Sequence, residues 1–143
     1  MYQASEAIER FFQTFEANAS SHEIEAQVSQ FADVFMAANP AGTQAVRARD
    51  FAMALPRRKQ FFDQLGCRST ELISLREQRL DGRYIMASTQ WKLTFVQAEN
   101  RTQDVVAESI YILDTGGDTP KVVFYLANQD LMQILKERGL FVA

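Results

Sequence analysis

The sequence predicts an α+β fold in which a curved antiparallel sheet, mixed in places, wraps around N-terminal helices to form a cone. Helical periodicity dominates the chain up to Gly66. Beyond it lie four segments rich in β-branched and aromatic residues, at 69–80, 83–97, 104–113 and 120–127. The turns between these segments are short, which indicates antiparallel pairing of successive strands.

The first two helices are predicted from the spacing of apolar residues. One helical face collects the first apolar stripe, Ile8, Phe11, Phe12 and Phe15, after a possible cap at Ser5. The segment 18–21 (NASS) is expected to end this helix, and Ser20 with Glu23 resembles a capping box for the next one. The stripe of the second helix is Ile24, Val28, Phe31 and Ala32.

Two further helices follow from capping signals. Asp50 is a plausible N-cap for a third helix, which is interrupted or kinked near Pro56 and stops at Gly66. A short C-terminal helix carries Leu131, Ile134 and Leu135 and ends at Gly139.

Composition limits the classes of function. The chain has 143 residues, 47% hydrophobic and 23% charged, which predicts a single globular domain over 1–143. A net charge of −3 with mixed signs argues against nucleic acid as a partner. The sequence shows no apolar run long enough to span a bilayer and no signal-peptide pattern, so no membrane partner and a cytoplasmic location are expected. One cysteine and one histidine leave no metal-ligand spacing, and we expect no metal and no cofactor.

Three stretches resemble the nuclear transport factor 2-like (NTF2-like) superfamily, which includes SnoaL-like proteins and ketosteroid isomerase. Phe31-Ala32-Asp33 follows two helices, and Asn39-Pro40 ends a short strand with Gly42 soon after. The segment 122–126 followed by Asn128-Gln129-Asp130-Leu131 is similar to the closing strand and helix of SnoaL-like members. The resemblance implies a cone-shaped, cystatin-like fold, frequent dimers, and functions that range from isomerase to dehydratase to protein binding.

The same resemblance leaves the isomerase roles vacant. That chemistry uses an aspartate base, a tyrosine donor and a protonated aspartic acid. Ungapped alignment of 31–40 puts Asn39 at the base position, and an amide is not a useful base near neutral pH. The tyrosine position falls near Phe11 and the acid near Ile110. Isomerase activity by that mechanism is therefore not expected, although Asn39, Phe11 and Ile110 stay candidates for the lining of a pocket.

Alternation along the strands provides the remaining candidates. In 83–97 the more apolar face includes Thr89 and Trp91, which places both on the cavity wall, as ligand contacts or as plain core. In 104–113, Glu108 shares a face with Val106 and Ile110. If that face points inward, Glu108 is a carboxylate in apolar surroundings and a candidate acid or base. The alternative is a Glu108 at the sheet edge or paired with an arginine across a dimer interface.

Three other features have two interpretations each. A basic group could receive an anion at the cavity mouth or form a solvated helix face: Arg47, Arg49, Arg57, Arg58 and Lys59. His22 is expected to start a surface helix rather than act in catalysis, and Cys67 to be a structural thiol.

Taken together, these patterns predict a domain that binds an apolar small molecule inside a cone and forms a homodimer through the outer face of its sheet. The alternative is a SnoaL-like lyase or isomerase for an apolar carbonyl compound, with Glu108 as acid or base.

Overall fold

The computed structural model describes residues 2–21, 23–128 and 131–140. The helices are α1 (Glu6–Ser21), α2 (Ile24–Ser29), α3 (Ala48–Gln64) and α4 (Leu131–Glu137). The strands are β1 (Tyr2–Gln3), β2 (Phe31–Asn39), β3 (Gly42–Arg47), β4 (Cys67–Arg79), β5 (Tyr84–Val96), β6 (Thr102–Asp114) and β7 (Lys121–Ala127). The α+β layout and the four long strand segments are confirmed.

The described strands form one curved, unclosed sheet in the order β1-β4-β5-β6-β7-β2-β3. Neighbours are antiparallel except for β1 with β4 and β2 with β7, so the sheet is mixed. Register shifts interrupt the ladders at Leu72/Ser74, where β4 has the extra residue Ile73, and opposite Ile112/Leu113, where β7 has the extra residue Val123. Such bulges bend long strands and increase their twist, which curves the sheet around α1.

Helix α1 supplies the centre of the core. Ile8, Phe11 and Phe12 are buried, and Phe15 packs against the same cluster while staying partly exposed. The predicted apolar stripe of this helix is therefore correct, because residues spaced by three and four positions share one face.

The glycine that ends α3 is held tightly against the sheet. Gly66 has φ +89°, and a Cβ at this position would lie 2.3 Å from the carbonyl oxygen of Val96. The Val96 N–H in turn donates to the Gly66 carbonyl at 2.8 Å. Only glycine satisfies both the left-handed backbone and the close approach.

The C-terminal helix also ends as predicted. Gly139 has φ +72°, its N–H donates to the Lys136 carbonyl, and the Leu140 N–H donates to the Leu135 carbonyl. This pair of bonds, with Leu135 and Leu140 both buried, is a Schellman motif and its hydrophobic contact.

Some predictions about helix boundaries are wrong. Helix α1 continues through 18–21, and the Ser20 hydroxyl donates to the Glu16 carbonyl inside it, so the capping box does not form. Helix α2 ends at Ser29, and Phe31 begins a strand instead of extending the helical stripe. Helix α3 starts before Asp50, at Ala48, and runs through Pro56.

The edge of the sheet at β4 is covered by the N-terminal segment. Strand β1 pairs with Leu75 and Arg76. At the adjacent bulge, the Glu16 carboxylate accepts the Leu72 N–H at 2.6 Å, and the Tyr2 hydroxyl donates to the Leu72 carbonyl at 2.8 Å. Side chains thus bind the backbone N–H and C=O groups that a further strand would need for pairing.

Candidate functional site

The inner wall of the cone is built by alternate residues of β5. The inward set is buried throughout, as the sequence predicts: Ile85, Ala87, Thr89, Trp91, Leu93 and Phe95. Between Thr89 and Trp91 a direct bond forms, because the Trp91 Nε1–H donates to the Thr89 hydroxyl at 2.9 Å. Both residues therefore lie on the wall, where they support each other.

Strand β6 extends this polar group. The Thr89 hydroxyl donates to the Ser109 carbonyl at 2.9 Å and lies 2.8 Å from the Ser109 hydroxyl. Tyr111 follows Ser109 on the same face of β6, where burial and the neighbouring Tyr125 hold the pKa of its phenol above the ordinary value. A connected row of hydroxyl and indole groups thus crosses an otherwise apolar wall, with each member satisfied.

An aromatic cluster covers this wall. The Phe15 ring lies 5.8 Å from Trp91 and 5.4 Å from Tyr111, measured between ring centroids. It is also 5.9 Å from Phe31, which in turn lies 4.6 Å from Phe51 on α3. These tilted and edge contacts fill the space between α1, α3 and the sheet, so aromatic side chains cover Thr89 and Trp91.

The prediction that Glu108 could point into the cone is wrong. Strand β6 buries Val105, Ser109 and Tyr111, so the opposite parity, with exposed Glu108 and half-buried Ile110, belongs to the outer face. Apolar residues occur at both parities of this strand, so the sequence pattern did not fix its orientation. The observed orientation leaves the Glu108 carboxylate in water, which costs far less free energy than burying it.

The two other predicted lining residues have structural roles. Phe11 is buried on α1 in edge contact with Phe12. Asn39 is exposed at the end of β2, where its Oδ1 accepts the N–H groups of Ala41 at 2.8 Å and Gly42 at 3.2 Å. Asn39 closes the β2–β3 hairpin as an Asx turn and does not occupy the place of a base.

A cleft of about 290 Å³ lies between α2 and α3. Its lining is mostly apolar, with charged groups included: Ile24, Glu25, Val28, Ser29, Phe31, Asp33, Ala48, Ala52 and Lys121. Phe31 forms part of this lining and at the same time contacts Phe15, Phe35 and Phe51. The cleft therefore borders the aromatic cluster from outside. The Lys121 ammonium donates to the Ser29 carbonyl beside it.

The outer face of the sheet has a polar half and an apolar half. A trough of about 400 Å³ crosses the polar half, where Ser88, Gln90 and Glu108 share the lining with Arg76. Across β6, β7 and β2, Ile112 is registered with Phe124 and Phe124 with Met36. Strand β7 thus carries apolar side chains on both faces, a pattern typical of strands covered on both sides.

The remaining candidates do not assemble into a site. Among the basic residues, Lys59 pairs with Asp63 at 3.1 Å, and Arg58 stacks over the Phe62 ring at 4.8 Å. Cys67 is half-buried, and burial raises the pKa of its thiol. His22, Gln129 and Asp130 lie outside the described residues. Within the described ranges, no group of three or more metal-ligating side chains comes together and no helix is long and apolar enough to cross a membrane.

Comparison with solved structures defines the fold. Aln2 from a Streptomyces species superposes with a TM-score of 0.73 at 8% identity, over 94% of this chain and 98% of that one. An NTF2-like protein with a cystatin-like fold from Novosphingobium aromaticivorans has a TM-score of 0.72 at 13% identity, over 96% and 88%. The beta subunit of the benzoate 1,2-dioxygenase from Burkholderia mallei gives 0.68 at 15%, over 94% and 96%.

These similarities establish the class: the chain has the NTF2-like, cystatin-like fold that its sequence predicts. Sequence comparison adds no closer relative, because no family model matches the chain. No curated protein matches it either.

Sequence reasoning missed several residues that the structure makes important. Ser109 and Tyr111 complete the polar row on the wall. The available signal was their spacing: they lie two residues apart on β6, as Thr89 and Trp91 do on β5, and each pair joins a hydroxyl residue to a large aromatic one. Phe31 was assigned to a helix, which hid its place at the boundary between the cleft and the core. Nothing in the sequence pointed to Ala48 and Ala52, because an alanine lines a cleft only where the larger side chains around it leave space.

Proposed function

We propose that this protein is a non-catalytic binding domain that takes an apolar small molecule in the cleft between α2 and α3. The observation that supports this most directly is the position of Phe31, which borders the cleft and contacts the aromatic rings behind it. A volume of about 290 Å³ is close to the lower end of the range for small-molecule pockets. A flat or aliphatic ligand would add to the aromatic cluster without displacing it.

The non-catalytic part of the proposal concerns the acid–base chemistry expected inside the cone, and it rests on the residues of the inner wall. The inward residues of β5 and β6 include no carboxylate and no imidazole: Ile85, Ala87, Thr89, Trp91, Leu93 and Phe95, then Gln103, Val105, Ala107, Ser109, Tyr111 and Leu113. Glu108 is exposed on the other face, so the lyase or isomerase that needed it as an inward acid or base loses its central residue.

The experiment is a titration with a neutral, apolar fluorescent probe, N-phenyl-1-naphthylamine. Saturable probe emission, with a parallel change in emission from Trp91, the only tryptophan of the chain, is expected. Trp91 reports on the cleft because Phe15 connects it to Phe31 by ring contacts of 5.8 and 5.9 Å.

A matched pair of variants locates the probe. Ala52 lines the cleft, whereas its neighbour Met53 is 71% exposed and is not part of the cleft lining. Ala52→Leu fills the cleft and should weaken probe binding, while Met53→Leu should leave it unchanged. Probe binding that is insensitive to Ala52→Leu, or that never saturates, would contradict the proposal.

A second candidate function is self-association as a homodimer through the outer face of the sheet. It is favoured by β7, whose Phe124 faces outward beside exposed Met36, and by Val34, which is 55% exposed on β2. Proteins rarely leave such an apolar surface uncovered. One protein of the same fold, from Burkholderia mallei, is itself a subunit of a larger enzyme.

Light scattering tests this candidate. The double variant Val34→Glu/Met36→Glu puts like charges on the proposed contact and should lower the measured mass by removing association through this face, whereas Met53→Glu on α3 should keep the wild-type mass. A wild-type protein that is monomeric at every concentration tested would exclude the dimer without touching the ligand proposal.

A further inference from the structure

The two edges of the sheet differ in how they meet a further strand. At the β4 edge, β1 pairs with Leu75 and Arg76, and the side chains of Glu16 and Tyr2 bind the backbone of Leu72. An approaching strand finds these groups occupied. Covering an edge in this way is a usual means by which proteins prevent sheets from joining.

The β3 edge carries none of these protections. Among the residues that the structure describes, strand β3 pairs only with β2, through six consecutive residue pairs without a register shift. All of Gly42–Arg47 is exposed except Val46, which is half-buried. The strand contains no proline, lysine, aspartate or glutamate, and no bulge turns it away from solvent. In an antiparallel ladder, alternate N–H and C=O groups of such a strand point away from its partner.

We infer that the free edge of β3 pairs with β3 of a second copy, antiparallel and about a two-fold axis at Ala45. A sheet with one covered edge and one open edge cannot pair head to tail, so self-pairing must be two-fold and must stop at two copies. This edge contact leaves the outer face free and does not depend on the ligand or face-to-face proposals above.

Charge and packing on β3 fit this arrangement. Arg47 is the one charged side chain of the strand. About an axis at Ala45, Arg47 of each copy lies opposite Thr43 of the other, so like charges do not meet. Ala45 is registered with Met36 on β2, and pairing would join the two Met36–Ala45 rows into one apolar stripe across the seam.

Hydrogen exchange tests the pairing without any substitution. Strand β3 amides should exchange more slowly as protein concentration rises from about 1 to about 500 μM, because mass action fills the paired state. The β4 amides provide the internal reference and should not change. Exchange of β3 that is independent of concentration over this range would overturn the inference.

Cysteine cross-linking tests the two-fold geometry, in a Cys67→Ser background. Paired residues at the axis have Cα atoms about 4.5 to 5.5 Å apart, which a disulfide can span. Ala45→Cys should therefore link to itself under mild oxidation, and a mixture of Thr43→Cys and Arg47→Cys copies should link where neither links alone.

The control is Gln13→Cys, an exposed position on α1 that reports random collision. Trp91 emission checks that each variant is folded. Linking of Ala45→Cys no faster than Gln13→Cys, or self-linking of Thr43→Cys, would overturn the two-fold arrangement.

Discussion

Thr89 and Ser109 lie opposite each other on β5 and β6, and their hydroxyl oxygens are 2.8 Å apart beneath the aromatic cluster. The Trp91 indole donates to the same Thr89 oxygen. Replacing Thr89 by valine keeps the shape and removes the acceptor, which leaves a buried indole N–H without its partner. We expect a loss of about 1–3 kcal/mol in the free energy of unfolding, measured by denaturant titration.

Thr94→Val is the matched control for this substitution. Thr94 lies on the same strand but faces outward, where its hydroxyl donates to the exposed carboxylate of Asp104 at 2.8 Å. Its replacement should cost no more than about 0.5 kcal/mol. Equal losses for the two variants would mean that the buried polar row adds no stability.

Gly66→Ala should destabilise the fold by about 1–3 kcal/mol or more. The backbone at this position is left-handed, and the new Cβ would meet the Val96 carbonyl oxygen, which belongs to a fixed strand and cannot rotate away. Thermal unfolding provides the measurement. Gly82→Ala is the control, since a Cβ at Gly82 meets nothing within 4 Å, and it should have little effect.

Asn39→Asp should not produce an isomerase. The Asn39 side chain is exposed and its oxygen binds the turn, so a carboxylate there keeps both acceptor bonds and lies outside the aromatic core. We expect stability close to wild type and no isomerisation of a β,γ-unsaturated ketosteroid, followed by the absorbance of the conjugated product. Asn39→Ala, which loses both bonds, should cost about 0.5–1.5 kcal/mol. Measurable isomerase turnover in Asn39→Asp would contradict the interpretation that Asn39 only closes the β2–β3 turn.

Acid sensitivity is predicted at the Arg83–Asp114 pair. The Arg83 guanidinium binds the carboxylate through two bonds of 2.7 and 2.9 Å and, with the Gly116 N–H, lowers the pKa of Asp114 to about 2. A lowered folded-state pKa gives stability that is present above the ordinary aspartate range, near ~4, and is lost as pH falls toward 2.

Thermal unfolding midpoints between about pH 5 and about pH 2 measure this effect. Asp114→Asn should flatten the profile, and Arg83→Gln should do the same, with little further change in the double variant. Asp81, whose pKa is also lowered by the N–H groups of Arg83 and Tyr84, leaves some dependence in the same direction. An unaltered profile in Asp114→Asn would show that the pair has no part in acid stability.

The sequence predicted most of the fold because its strongest patterns are physical necessities. Strand β5 alternates without exception between buried and half-buried residues, so its inward face could be read directly. Gly66 and Gly139 mark helix ends because both have a left-handed backbone conformation that only glycine adopts at low cost. The apolar stripe on α1 repeats with the helical period, and no strand-like alternation competes with it.

The site was less predictable because its residues depend on packing between distant segments. Phe31 fits a helical stripe with Ile24 and Val28, but β2 pairs with β7 from Phe31 onward, and that tertiary contact overrides the local period. Glu108 sits on a strand with apolar residues at both parities, so the orientation of β6 was set by neighbours and not by its own alternation.

In polymer terms, Glu16 is a chain stopper. Its carboxylate occupies the Leu72 N–H at one border of the sheet, so units that can join through only one border end as closed pairs, whereas units with two reactive borders grow into filaments. Removing that acceptor, as in Glu16→Ala, would free the Leu72 N–H, while β1 and the Tyr2 hydroxyl would still cover the rest of this border. If copies join through β3 as inferred above, we expect loss of this acceptor to lower solubility on storage.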